Sequence, residues 1–242
     1  YLDQTELAAR CFEEAREERH ALTFRTSVGF AHIALGQYAE AEGILRDTLA
    51  RAERMRLAHT RVIAKHNLGY AVALAGDLPA GIAIERDAIE DAKSQQDRWV
   101  ECVSYTYLAD LLLRASDAAG ALDAALVARD LSDDPNRVLA LALCARAELA
   151  LGQIDAARAH AEASNALLNE LGSIEDGEAL ARLAFVEVLE ASGEAASARI
   201  ALDRARSRLL DRAQKISNEA RRMSFLDDVP DHALTFSRPM PA

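Results

Sequence analysis

Apolar residues recur along the chain at three- and four-residue steps, the spacing that gathers side chains on one face of a helix. The pattern breaks about every forty residues at a short polar turn holding a small residue: Gly36, Gly76, Ser116, Gly152 and Gly193, spaced by 40, 40, 36 and 41. A glycine at such a place takes the left-handed conformation that ends a helix at little cost. The next residue is Gln37, Asp77, Asp117, Gln153 or Glu194, polar in each case, and it opens a new helix. Five positions after each turn stand Ala41, Gly81, Ala121, Ala157 and Ala198; twelve after it stand Thr48, Ala88, Ala128, Ser164 and Ala205. These small residues are seven apart and share one face, which allows close approach of a neighbouring helix. Eight before each turn stand the large Val28, Leu68, Leu108, Cys144 and Phe185, each followed by Gly29, Gly69, Ala109, Ala145 or Val186. In four of the five repeats the second residue is small, and a large residue beside a small one suits antiparallel helix packing.

The pattern predicts an all-α fold of ten helices in five antiparallel pairs over residues 21–216. Residues 1–20 read as the second helix of a truncated preceding repeat, on the spacing of Ala8, Phe12 and Ala15. With the helical pattern already under way at Tyr1, the sequence reads as a fragment of something longer. Residues 217–242 read as capping helices and a tail, with Ser217 capping a helix through Leu226 and Pro230 opening another. Terminal repeats need such an atypical cap.

Leu68-Gly69, Gly76-Asp77 and Ala88, with Gly36-Gln37-Tyr38, Ala41 and Leu45, resemble the signature of the tetratricopeptide repeat (TPR). That resemblance implies a right-handed α-solenoid of antiparallel helix pairs, a TPR-like superhelix that binds protein or peptide. The signature's early tryptophan is replaced by Arg25, Lys65, Tyr105, Leu141 and Arg182, its closing proline is missing, and the unit is longer than usual. The departures suggest a divergent, long-repeat type. The segment from Arg221 to Leu234 resembles the closing segment of repeats that end large bacterial serine/threonine kinase or ATPase regulators.

Composition narrows the class. The chain is 50% hydrophobic but only 5% aromatic, which favours helices packed through small side chains over a sheet. A formal net charge of -11 argues against direct binding of nucleic acid, which needs cations to neutralise phosphate. Cys11, Cys102 and Cys144 are far apart and form no disulfide framework, the usage expected of a cytoplasmic protein. No apolar run reaches membrane-spanning length, and no signal-peptide pattern is present.

Chemistry-bearing motifs are sparse. His59 and His66 are seven apart, whereas helical metal pairs stand three or four apart, so solvated or partner-facing histidines are the plainer account. The cysteines have no activating histidine beside them and read as small core residues. There is no phosphate-binding glycine loop. The expectation is therefore no enzyme, no cofactor and no metal.

In the TPR class the first helix of each pair lines the inner groove. The resemblance places Phe30, Tyr70, Asp110, Arg146 and Glu187 there, six before each turn; Thr26, His66, Thr106, Ala142 and Leu183, ten before; and Ala34, Leu74, Arg114, Ala150 and Ala191, two before. The candidate partner-binding residues are His66, Tyr70, Asp110, Arg114 and Arg146. Phe30 and Tyr70 have the alternative of packing between repeats, and Asp110 and Arg114, four apart, that of pairing with each other. Of the clamp that holds acidic chaperone tails, only Asn67 matches; Thr26, Phe30, Val103 and Tyr107 replace the rest. From Arg199 to Arg222 eight basic residues face three acids: either a solvated face or a docking surface for an acidic partner, with self-association as one case. The expected function is a protein- or peptide-binding scaffold, the regulatory module of a bacterial signalling protein. The alternative is a peptide or small-ligand sensor of a transcriptional regulator.

Overall fold

The helix boundaries follow from one repeated turn. In the computed structural model, which describes residues 1–241, helices α1 to α5 span Leu2–Glu14, Glu18–Ala34, Tyr38–Arg54, Ala58–Leu74 and Leu78–Ser94. Helices α6 to α9 span Arg98–Arg114, Ala118–Leu131, Asp134–Ala150 and Ile154–Leu171. Helices α10 to α13 span Glu178–Ala191, Ala195–Ala213, Glu219–Asp227 and Pro230–Ser237, and no strand occurs among the described residues. From α2 through α6 every helix has 17 residues, and consecutive helices are separated by three.

Each such turn is closed the same way. The N–H of its last residue donates to the carbonyl five residues back: Gln37 to His32 at 2.9 Å, Leu57 to Ala52 at 2.9 Å, Asp77 to Val72 at 3.1 Å, Asp117 to Leu112 at 2.9 Å. The geometry demands positive φ at the middle residue, and Gly36, Gly76, Ser116, Gly152 and Gly193 all have it. So do Arg16, Arg56 and Gln96, at the turns between pairs. Where the last turn residue is aspartate, its short carboxylate folds back to cap the next helix: Asp77 accepts from the Ala80 N–H, Asp97 from Val100 and Asp117 from Gly120. The longer Gln37, Gln153 and Glu194 make no such bond.

The uneven spacings have local causes. Helix α7 has 14 residues and is followed by only two before α8, which shortens that repeat. Six residues separate α9 from α10, with Gly172 and Gly177 at positive φ. The terminal elements differ from expectation in detail. Helix α1 buries Leu2, Thr5 and Ala9 rather than Ala8, Phe12 and Ala15; Phe12 stacks instead on Phe24 and His20. Asn218, not Ser217, caps α12, through the Arg221 N–H, and the helix ends at Asp227.

The chain divides into two compact units, residues 1–107 and 108–242. In unit 1 the small positions let helices meet almost at the backbone. A Cβ on Gly81 would lie 2.4 Å from the Ala73 Cβ and 2.6 Å from the Gly69 carbonyl oxygen. Ile33, Ala41, Leu45, Leu68 and Val72 form the core there, while Val186, Leu189, Ala198 and Leu202 form one in unit 2. The signature's lost tryptophan has a physical replacement in unit 1. Arg25 donates to Asp47, and Lys65 to Asp87 and Asp91, each spanning from the first helix of a pair to the second. Burial opposes the charge on Lys65, but the two aspartates outweigh it and raise its pKa.

Candidate functional site

The first helices of unit 1 bring His66, Tyr70 and Tyr107 into one aromatic stack. The rings of His66 and Tyr107 are 4.4 Å apart and those of Tyr70 and Tyr107 4.0 Å, both near-parallel. His66 is 4% exposed and Tyr107 6%, while Tyr70 is partly exposed. Tyr70 thus carries the accessible end of the stack, and His66 supports it from within.

Beneath this stack lies a charge the groove reading did not include. Glu85 of α5 is fully buried, with its Oε2 3.2 Å from His66 Nδ1. Its Oε1 has no hydrogen-bond partner. Burial pushes its pKa up to about 6, against the opposing pull of His66 and a backbone bond from Tyr70. The signal was present in the sequence: nine positions after the turns stand Leu45, Glu85, Ala125, Ala161 and Leu202, and only one is charged. Ser104 Oγ also lies 3.2 Å from His66 Nδ1. A nucleophile–base–acid line uses both ring nitrogens. Here hydroxyl and carboxylate meet the same one, so the group cannot relay a proton from Ser104 to Glu85.

Unit 2 gathers Asp110, Arg114 and Arg146 around the C-terminal helix. Arg114 Nε donates to Asp110 at 2.8 Å and its Nη2 to Asp231 of α13 at 3.3 Å. Arg146 donates through Nη1 to Asp231 at 2.7 Å and through Nε to Glu187 at 2.9 Å. Burial by itself would raise the Asp231 pKa; the charges of Arg146 and Arg114 overcome it and leave it lowered. Seven residues on, Arg238 pairs with Glu190 and Glu187 of α10. Arg206 of α11 donates to the carbonyls of Thr235, Phe236 and Arg238, the open C-terminal end of α13. The Asp110–Arg114 pair, the alternative to a partner contact, therefore forms, and both arginines also hold a carboxylate from another segment.

Part of the basic C-terminal run is engaged inside the chain. Arg208 and Arg212, with Arg182, surround Glu178, which is 2% exposed. Burial raises the Glu178 pKa, but the arginines reverse the shift and lower it. Arg222 donates to the Ile216 carbonyl. His59, read as solvated, is exposed and bonds Asp97 at 2.8 Å. Among the described residues no helix is long and apolar enough to cross a membrane, and no cluster of three or more His, Cys, Asp or Glu is placed to hold a metal.

No family model and no curated protein matches the chain. Its fold does match solved structures. A putative kinesin light chain from Podosopora anserina with nearly identical TPR-like repeats aligns at TM-score 0.57 and 17% identity, over 76% of this chain and 92% of that one. A second structure of that protein aligns at TM-score 0.56 and 16% identity, over 80% and 96%. A Rap protein complexed with competence and sporulation factor aligns at TM-score 0.63 and 14% identity, over 97% of this chain and 68% of that one. The fold is therefore that of a TPR-like α-solenoid, as the turn pattern predicts.

Proposed function

We propose that the chain is a non-catalytic protein- or peptide-binding scaffold with partner-contacting residues in each unit: Tyr70, backed by the buried His66, in unit 1, and Arg114 and Arg146, backed by the buried Asp110, in unit 2. The observation that carries this is in unit 2: Arg114 and Arg146 converge on the carboxylate of a peptide segment, while Arg206 grips that segment's backbone. Guanidinium groups holding a carboxylate and bare carbonyls are recognition chemistry rather than catalysis. In unit 1, Tyr70 offers a rigid aromatic anchor, with His66 behind the stack. The resemblance of the segment from Arg221 to Leu234 to bacterial regulators supports a regulatory module in a cytoplasmic signalling protein. The second reading is a peptide or small-ligand sensor domain of a transcriptional regulator; the Rap protein, solved in complex with competence and sporulation factor, is similar in fold.

The test is a display selection of peptides on the whole chain, repeated with Tyr70→Ala and Arg146→Ala. Selected peptides should lose about thirty-fold or more in affinity for at least one variant, as hot-spot truncation does. Peptides that bind both variants as well as the original chain would put binding on another face.

A further inference from the structure

The seat of α13 has the build of a replaceable contact. Helix α13 is eight residues long, too short to hold its shape alone. Asp231 and Thr235 are its buried residues, and Leu234 stays 41% exposed. Its polar attachments are ion pairs of Asp231 with Arg114 and Arg146 and of Arg238 with Glu187 and Glu190, hydrogen bonds from Arg206 to its carbonyls, and a bond of His232 to the Phe225 carbonyl. The apolar anchor of the segment lies one helix earlier, where Phe225 of α12 is 5% exposed and packs against His232. At its cationic end the seat does not depend on α13 alone for a counter-charge. Arg114 keeps Asp110, and Arg146 keeps Glu187, without it.

Resting on the peptide-binding reading above, we propose that this face of unit 2 binds a partner segment carrying a carboxylate and, about seven residues later, a guanidinium, and that α13 is its built-in competitor. The seat is bipolar. Its cationic end, Arg114 with Arg146, reads the acid; its anionic end, Glu187 with Glu190, reads the base. Between them Arg206 holds main-chain carbonyls, a contact that carries no side-chain preference of its own. A tethered competitor acts at a high effective concentration, so a partner gains access only where its own segment binds more tightly or α13 is drawn away.

The test uses the full chain and a dye-labelled synthetic peptide of residues 228–241. In Asp231→Lys the new cation faces Arg114 and Arg146, so hydrogen exchange should accelerate across 230–237 while α8 and α10 stay protected. That variant should bind the peptide at least about tenfold more tightly than the unaltered chain does. Peptides carrying D231K or R238E should each lose at least about tenfold. Asp231→Asn gives the same readings where the lysine variant unfolds. Four results overturn the proposal: α13 protected in both variants; α13 released without tighter peptide binding; α8 and α10 unfolding with α13 in both variants, which makes the segment a structural cap; or a dimer on release, which makes the seat a self-association site. Selected peptides that still depend on Tyr70 while this test fails would leave the scaffold function standing and remove only the α13 competition.

Discussion

Glu85 occupies a position that Leu45 and Leu202 fill with hydrocarbon in other repeats, and it meets His66 on α4, which in turn meets Ser104 and Tyr107 on α6. Its folded pKa of about 6 lies above the ordinary 4.5, so the folded chain holds the proton longer than the unfolded one. Stability then falls as pH rises through that window, and the penalty is complete above it. Glu85→Gln does not titrate, so its stability relative to the original chain should rise by about 2 kcal/mol between pH 4.5 and 7 in urea unfolding. A difference that stays flat with pH would mean that Glu85 titrates normally. The thiols make a second residue-scale case. Cys11 is exposed, Cys102 and Cys144 are buried, and burial pushes the Cys144 pKa up to about 12. A thiol reagent should therefore modify one cysteine in the native chain and three in denaturant. At this scale the sequence revealed residue types better than surroundings. Helices α4 and α8 are buried on nearly every side. Their periodicity therefore cannot say which side faces a groove, and His66, read as a groove residue, is buried.

At the scale of the element, the turns after Gly36, Gly76 and Gly152 were legible because glycine is the residue that positive φ favours. The turns at Arg16, Arg56 and Gln96 have the same closure without glycine, so their chemistry left no mark in the sequence. The approach of α4 and α5 tests the small-residue pattern directly. Gly81→Ala should destabilise the chain by about 1 to 3 kcal/mol through the clash with Ala73 and the Gly69 carbonyl. Gly43, in the exposed face of α3, has nothing within 4 Å of its would-be Cβ. Gly43→Ala should instead stabilise by about 0.5 to 1 kcal/mol. Thermal unfolding of the two variants should move in opposite directions, and a fall in both would show that α3 is not a regular helix at Gly43.

At the scale of the whole molecule, a stack of repeats gains stability from each neighbour. Helix α1 packs on α2 and leaves Tyr1, Leu7 and Cys11 exposed. Its amides should exchange well before those of α4 or α8, which are enclosed. The fixed length of the half-repeat has a consequence for how such a chain can grow. From Glu18 to Asp117, helix and turn together advance twenty residues at a time. A tandem copy of residues 38–77 inserted after Asp77 therefore adds one complete pair and returns α5 to its original phase, its buried face still aligned with α4. A copy that is not a whole number of pairs leaves a helix without its partner. Gene duplication has a single ruler here, forty codons long, and lineages that lengthen this part of the chain should do so in multiples of it.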